Sequence, residues 1–117
     1  MASFKIQKSF KERLNESKRI MDKYQDRIPV ICEKSANKSA DLPSLDKTKY
    51  LVPNDLTIGQ FMYVIRSRLK LPSDKALFLI IDGVFPSSTM IIKDAYKEHK
   101  DIDGFLYVKY CQENTFG

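Results

Sequence analysis

The sequence predicts an α+β domain, a β-grasp core with a helical extension at its amino terminus. Ser9-Phe10-Lys11-Glu12 and Thr57-Ile58-Gly59-Gln60 are capping boxes, in which side chains satisfy the free amides of a helix start, and each leads into apolar residues three and four apart. Around them lie short runs rich in branched and aromatic residues. From residue 28 the order reads strand, strand, helix, strand, short hairpin return, short helix, strand, which is the β-grasp order. The 117 residues, 43% hydrophobic and 30% charged with only four Gly and five Pro, suit one self-supporting core. A single domain over 1–117 is expected, made of a helical extension (1–26), the β-grasp core (27–111) and a flexible tail (112–117).

Residues 3–8 have room for one helical turn. From the Ser9 cap, Phe10, Leu14, Ser17, Ile20, Met21 and Tyr24 share one stripe, so the first long helix runs to about Tyr24. Ile28, Val30, Ile31 and Cys32 favour a strand over 28–34, and the polar stretch 35–46 reads as loop. Tyr50-Leu51-Val52 is a second, short strand stopped by Pro53. Proline lacks the amide a central strand needs, which puts this strand at a sheet edge with backbone groups open to a partner. After the Thr57 cap, Ile58, Phe61, Met62, Ile65 and Leu69 share a helix face, with Val64 beside it and Arg66 and Arg68 toward solvent. Residues 77–81 are a continuous apolar run, too short for a helix, and read as a buried central strand; Asp82-Gly83 turns it back toward Val84-Phe85. A short helix is expected over 91–99 with Ile92, Ala95 and Tyr96 inward, and 105–111 closes the fold as a strand.

The net charge of +5 is concentrated at the front. Residues 1–27 carry eight basic side chains against four acidic ones, which is +4 of the total. Such a segment favours acidic partners (anionic lipid, acidic peptide or nucleic acid), and a solvated helix face of mixed charge explains it equally well. The aromatic residues are patterned into helices and strands and do not form a stacking platform, so no specific nucleic-acid partner is expected. Cys32 and Cys111 stand alone in apolar runs without the paired spacing of zinc or redox motifs, and read as buried reduced thiols. The start lacks the apolar core of a signal peptide, no apolar run approaches the roughly 18 residues of a membrane span, and Ala2 excludes amino-terminal myristoylation. A cytosolic protein is expected.

Catalytic chemistry finds little support. His99, the only histidine, sits between Glu98 and Lys100 on a polar helix end, with no cysteine near it in sequence. Asp101-Ile102-Asp103-Gly104 lacks the further oxygen ligands and terminal Glu of a calcium loop and reads as a turn. With no glycine-rich phosphate loop, zinc spacing or nucleophile elbow, the expectation is a non-enzyme without metal or cofactor. Gly117 closes the chain after Thr115-Phe116. A glycine carboxylate carries no side chain to block entry into a narrow active site, so the chain reads as one built to be joined to something, although a chain that merely stops there would look the same.

Five separated blocks carry a resemblance. Lys23-Tyr24-Gln25-Asp26-Arg27-Ile28-Pro29-Val30-Ile31, Leu45 to Pro53, Leu56-Thr57-Ile58-Gly59-Gln60-Phe61, Asp103-Gly104-Phe105-Leu106-Tyr107 and Glu113-Asn114-Thr115-Phe116-Gly117 are similar, in order, to the autophagy-related ubiquitin-like modifiers. That is the autophagy-related protein eight family, with its light chain three and GABA-receptor-associated members. The resemblance spans about 10–117 and implies a ubiquitin-like β-grasp. It further implies conjugation of Gly117 to phosphatidylethanolamine on the growing autophagosome by dedicated activating and conjugating enzymes. In the family a cysteine protease exposes that glycine and later removes the lipid, so Phe116 and Gly117 match its recognition site. The chain as given is then either a mature form or one that needs no first cleavage. The implied location is the cytoplasm, and the autophagosome membrane when lipidated; a non-conjugated β-grasp peptide-binding adaptor is the alternative.

The family also binds receptor peptides of the form aromatic-x-x-aliphatic with an acidic flank. Carried over by position, Glu16, Ile20, Pro29, Ile31, Lys49, Leu51 and Phe105 match the pocket for the aromatic residue. Tyr50, Val52, Pro53, Leu56, Phe61 and Val64 match the pocket for the aliphatic one, and Arg27, Lys47, Lys49 and Arg68 match the contacts to the acidic flank. Strand alternation points Tyr50 and Val52 one way and Lys49 and Leu51 the other. Without the resemblance, Phe61, Ile31 and Leu56 read as ordinary core. The chain departs from the family at Gln25, where proline is common, at Cys32, which replaces a branched aliphatic residue, and at Val64, which is smaller than usual. Its loop 35–44 matches the longer, light-chain-three-like version.

Overall fold

The computed structural model describes residues 3–36 and 42–112. Its elements are α1 (Phe4–Gln7), α2 (Phe10–Lys23), β1 (Arg27–Lys34), β2 (Lys49–Pro53), α3 (Ile58–Leu69), β3 (Phe78–Ile80), α4 (Ile92–His99) and β4 (Leu106–Cys111). Both capping boxes form. Glu12 N donates to Ser9 Oγ at 3.1 Å and Ser9 N to Glu12 Oε1 at 2.9 Å, and Thr57 and Gln60 exchange the same pair of bonds. The stripe of α2 buries Ser17 and Ile20, and that of α3 buries Ile58, Phe61, Ile65 and Leu69.

The strands form one mixed sheet in the order β2-β1-β4-β3. β1 and β4 run parallel at its centre, β2 pairs antiparallel with β1 at one edge, and β3 pairs antiparallel with β4 at the other. Pro29 is tolerated inside β1 because its missing amide faces the β4 side, where pairing begins only at Val30 with Leu106.

Residues 77–81 depart from the central strand expected of them. Their regular part is the three-residue β3 at the sheet edge. Leu77, Leu79 and Ile81 enter the main core, while Phe78, 37% exposed, packs edge-on against Phe85 of the return segment at 5.9 Å. The run is apolar on both faces although it lacks a second strand neighbour among the described residues. Asp82 (φ 50°) and Gly83 (φ 75°) make the expected reversal, bridged by Ile81 and Val84. Leu42 also departs from the polar-loop reading. It is buried in the main core, Lys34 Nζ donates to its carbonyl at 2.9 Å, and the Tyr110 hydroxyl ties down its neighbours Pro43 and Leu45.

Alternation along the strands divides the apolar residues between two faces. Val30, Cys32, Tyr50, Val52, Leu106 and Val108 pack with Phe61, Ile65 and Ile92 in the main core. The other face carries a smaller cluster in which Ile31 and Phe105 meet Ile20 of α2 and Phe4 of α1, with Leu51 and Tyr107 packed against it. Cys32 and Cys111 are buried and form no disulfide, and burial pushes the Cys32 thiol well above its ordinary range. No helix among the described residues is long and apolar enough to cross a membrane.

Candidate functional site

The edge strand β2 organises the site. Cys32 N donates to Thr48 O at 2.8 Å, which fixes the phase of the β1–β2 ladder. By antiparallel alternation Tyr50 and Val52 then share their backbone bonds with Val30 and Ile28, while the amides and carbonyls of Lys49 and Leu51 face away from β1. No strand among the described residues lies on that side. Arg27 Nη1 reaches the Leu51 carbonyl at 3.2 Å, so this cation already engages the edge.

On one face of β2 the structure gathers the residues expected around an aromatic side chain. Ile20, Ile31, Phe105 and Leu51 share the smaller cluster, and Pro29 lies opposite Leu51 in the ladder. Lys49 Nζ forms an ion pair with the Glu16 carboxylate, closing the gap between α2 and β2. Ile31 and Phe105 have no exposed surface, so they form a floor, and Leu51 and Lys49 form the accessible rim.

Most of the residues expected around an aliphatic side chain lie on the other face. Tyr50, Val52 and Phe61 belong to the main core, Leu56 packs against it and Val64 is 39% exposed, whereas half-buried Pro53 falls by strand alternation on the side of Lys49 and Leu51. Tyr50 meets Phe61 edge-on at 5.8 Å. Burial pushes the Tyr50 phenol up to about 12, and its hydroxyl donates to Lys47 O at 2.8 Å. Phe61 and Ile31 are thus core residues, fully buried beneath the half-exposed side chains of each face.

The four expected flank cations do not form one patch. Lys47 and Arg68 lie over the Tyr50 ring at 5.2 and 5.7 Å, with Arg68 also 3.3 Å from Asp46. Lys49 belongs to the opposite face with Glu16, and Arg27 holds the edge carbonyl. A cavity of about 210 Å³ bordered by Leu42, Leu69, Lys70 and Gln112 shares no residue with either set. Phe116 and Gly117 lie outside the described residues.

Sequence reasoning missed two features beside the aromatic set. Phe4 is buried and meets Phe105 edge-on at 5.2 Å, with its amide donating to Glu33 Oε2 at 2.8 Å. Asp103, read as a turn residue, is fully buried. Its Oδ2 accepts from Arg13 Nη1 at 2.6 Å and from the Tyr107 hydroxyl at 2.5 Å, its Oδ1 from Phe105 N at 2.9 Å, and its carbonyl from Ser17 Oγ at 2.5 Å. The Asp103 bond holds Arg13 more firmly protonated, and burial followed by the same carboxylate pushes the Tyr107 phenol up. Gly104 has φ at 90° and a Cβ position that would collide with Ser17 Oγ, so the glycine after Asp103 is the one hint of this close approach that the sequence carries. His99 remains outside the site, bonded to Asp82 at 2.8 Å.

Comparison with known proteins decides the family. The family described as "Autophagy protein Atg8 ubiquitin like" matches residues 12–117. The chain belongs to the Atg8 family. Similar relatives include Autophagy-related protein 8 of Mycosarcoma maydis, 55% identical over 116 residues that cover 99% of this chain and 97% of the relative. The protein of the same name from Candida albicans is 53% identical, over 99% of this chain and 84% of its own length. The crystal structure of Trypanosoma brucei ATG8 matches with a TM-score of 0.89 at 39% identity, covering 100% of this chain and 99% of that one. The fold is accordingly the ubiquitin-like β-grasp with amino-terminal helices, and the chain is an autophagy ubiquitin-like protein.

Proposed function

We propose that this Atg8-family chain is a non-enzymatic modifier, conjugated through Gly117 to phosphatidylethanolamine on autophagosomal membranes, that recruits cargo receptors and autophagy factors through their aromatic-x-x-aliphatic peptides. Family membership supports the conjugation half. With it come an activating and a conjugating enzyme, a cysteine protease acting at Phe116-Gly117, and passage from the cytosol to the membrane on lipidation.

One observation carries the peptide half. Among the described residues β2 has an open edge, and it carries an apolar set on each of its two faces. A peptide added beside it as a strand points residues i and i+3 to opposite faces, because three is an odd number of steps in a period of two. The aromatic-x-x-aliphatic spacing thus places one anchor over Leu51 and Lys49 and the other over Tyr50, Leu56 and Val64. Lys47, Arg68 and Arg27 supply positive charge along the path for an acidic flank. Calorimetric titration with such a peptide tests this. Leu51→Ala and Tyr50→Ala should each weaken binding by about 1–2 kcal/mol, the loss expected at a buried anchor, and unchanged affinity in both would sink the assignment. Peptide binding by a chain that forms no thioester on the activating enzyme would instead favour a non-conjugated adaptor.

A further inference from the structure

We infer that Asp103 is a positioning residue for the aromatic pocket, setting the spacing between its α2 wall and its floor without touching the peptide. The inference rests on the peptide-binding reading above and goes beyond it by naming what holds the pocket's shape. Asp103 joins three parts of the fold. Arg13 and Ser17 of α2 bond its carboxylate and carbonyl, Phe105 N bonds Oδ1, and Tyr107 of β4 bonds Oδ2. Arg13, Ser17 and Ile20 follow one another at four- and three-residue spacing on the helix, so the row that grips Asp103 ends in a pocket residue. Glu16, the partner of Lys49 at the pocket rim, is the chain neighbour of Ser17. On the sheet side, Phe105 is held by its amide two residues from Asp103.

A fully buried carboxylate whose two oxygens both accept bonds from the protein is closed off from a ligand, and its loss would leave the Arg13 guanidinium without its ion-pair partner. Gly104 makes the arrangement possible, since a Cβ there would lie 2.9 Å from Ser17 Cβ. The other face of β2 has no member in this network. Loosening Asp103 therefore changes the pocket for the aromatic residue and spares the pocket for the aliphatic one.

The test uses the full chain and two synthetic acidic peptides, one with Trp-x-x-Leu and one with Ala in place of Trp. Wild type should prefer the Trp peptide. Asp103→Asn should reduce that preference about tenfold and Ser17→Ala about threefold, the size of one lost charged or neutral hydrogen bond, while Arg13→Lys, which keeps the charge, should lose less than Asp103→Asn. Methyl resonances of Ile20 and Ile31 should move in both weakened variants while those of Val52 stay. A merely structural role would lower stability and leave the preference intact. An unchanged preference with unmoved Ile20 and Ile31 resonances in folded Asp103→Asn, or in Ser17→Ala if the former does not fold, would overturn the inference. A wild-type chain indifferent to Trp would overturn the peptide-binding reading instead, and the Ile20 and Ile31 resonances would still decide the positioning role.

Discussion

At Gly104 a single missing Cβ lets α2 close on the loop before β4. The residue sits at φ 90°, and a side chain there would strike Ser17, whose hydroxyl is committed to the Asp103 carbonyl. Gly104→Ala should therefore destabilise the fold by about 2–4 kcal/mol, combining a left-handed alanine with an overpacked contact. Urea unfolding checks it, and a change within about 0.5 kcal/mol would contradict it. Nearby, burial opposes ionisation of Asp101, but the Lys5 ammonium and the Asp103 amide outweigh it and hold this carboxyl below its ordinary range. A depressed carboxyl stabilises the fold above the ordinary Asp range and loses that contribution as pH falls through its lower folded value. Asp101→Asn should thus cost less than about 1 kcal/mol at neutral pH, given the exposed partner, and nothing once both forms are protonated. Equal sensitivity to acid in the two proteins would refute this. The sequence showed Asp101-Ile102-Asp103-Gly104 as a turn but not the burial of Asp103, because its partners Arg13 and Ser17 lie far away in the chain and no local pattern links them.

Helix starts were the most legible elements, since a capping box is complete within four residues. Removing one hydroxyl tests how much that local code contributes. Thr57→Ala should lower stability by about 1 kcal/mol, read as a shifted denaturation midpoint with unchanged slope, and no shift would mean that α3 is held by its buried face of Ile58, Phe61, Ile65 and Leu69 without help from the cap. Pro53 correctly marked β2 as an edge strand. The continuous apolar run of residues 77–81 misled instead, because strand order depends on which partner the chain meets later, and a run covered on both faces looks central whether or not a second strand joins it. Leu42 was hidden likewise, as one apolar residue in a polar stretch whose burial depends on Lys34 and Tyr110.

Over the whole molecule, the basic front of the chain has more internal work than its charge alone implied. Lys5 pairs with Asp101, Arg13 with Asp103, and Arg27 bonds the β2 edge, so part of the surplus holds the helical extension and the site together. The residues assigned to the candidate site came from family resemblance and strand alternation, whereas composition alone reads Phe61 and Ile31 as ordinary core. The proposed function joins peptide binding at the β2 edge to membrane attachment at Gly117. The most direct measurement is reconstituted conjugation with the activating and conjugating enzymes and phosphatidylethanolamine liposomes, read by intact mass. Wild type should gain the mass of the lipid and Gly117→Ala should not; equal lipidation of both chains, or none of the wild type, would contradict the account.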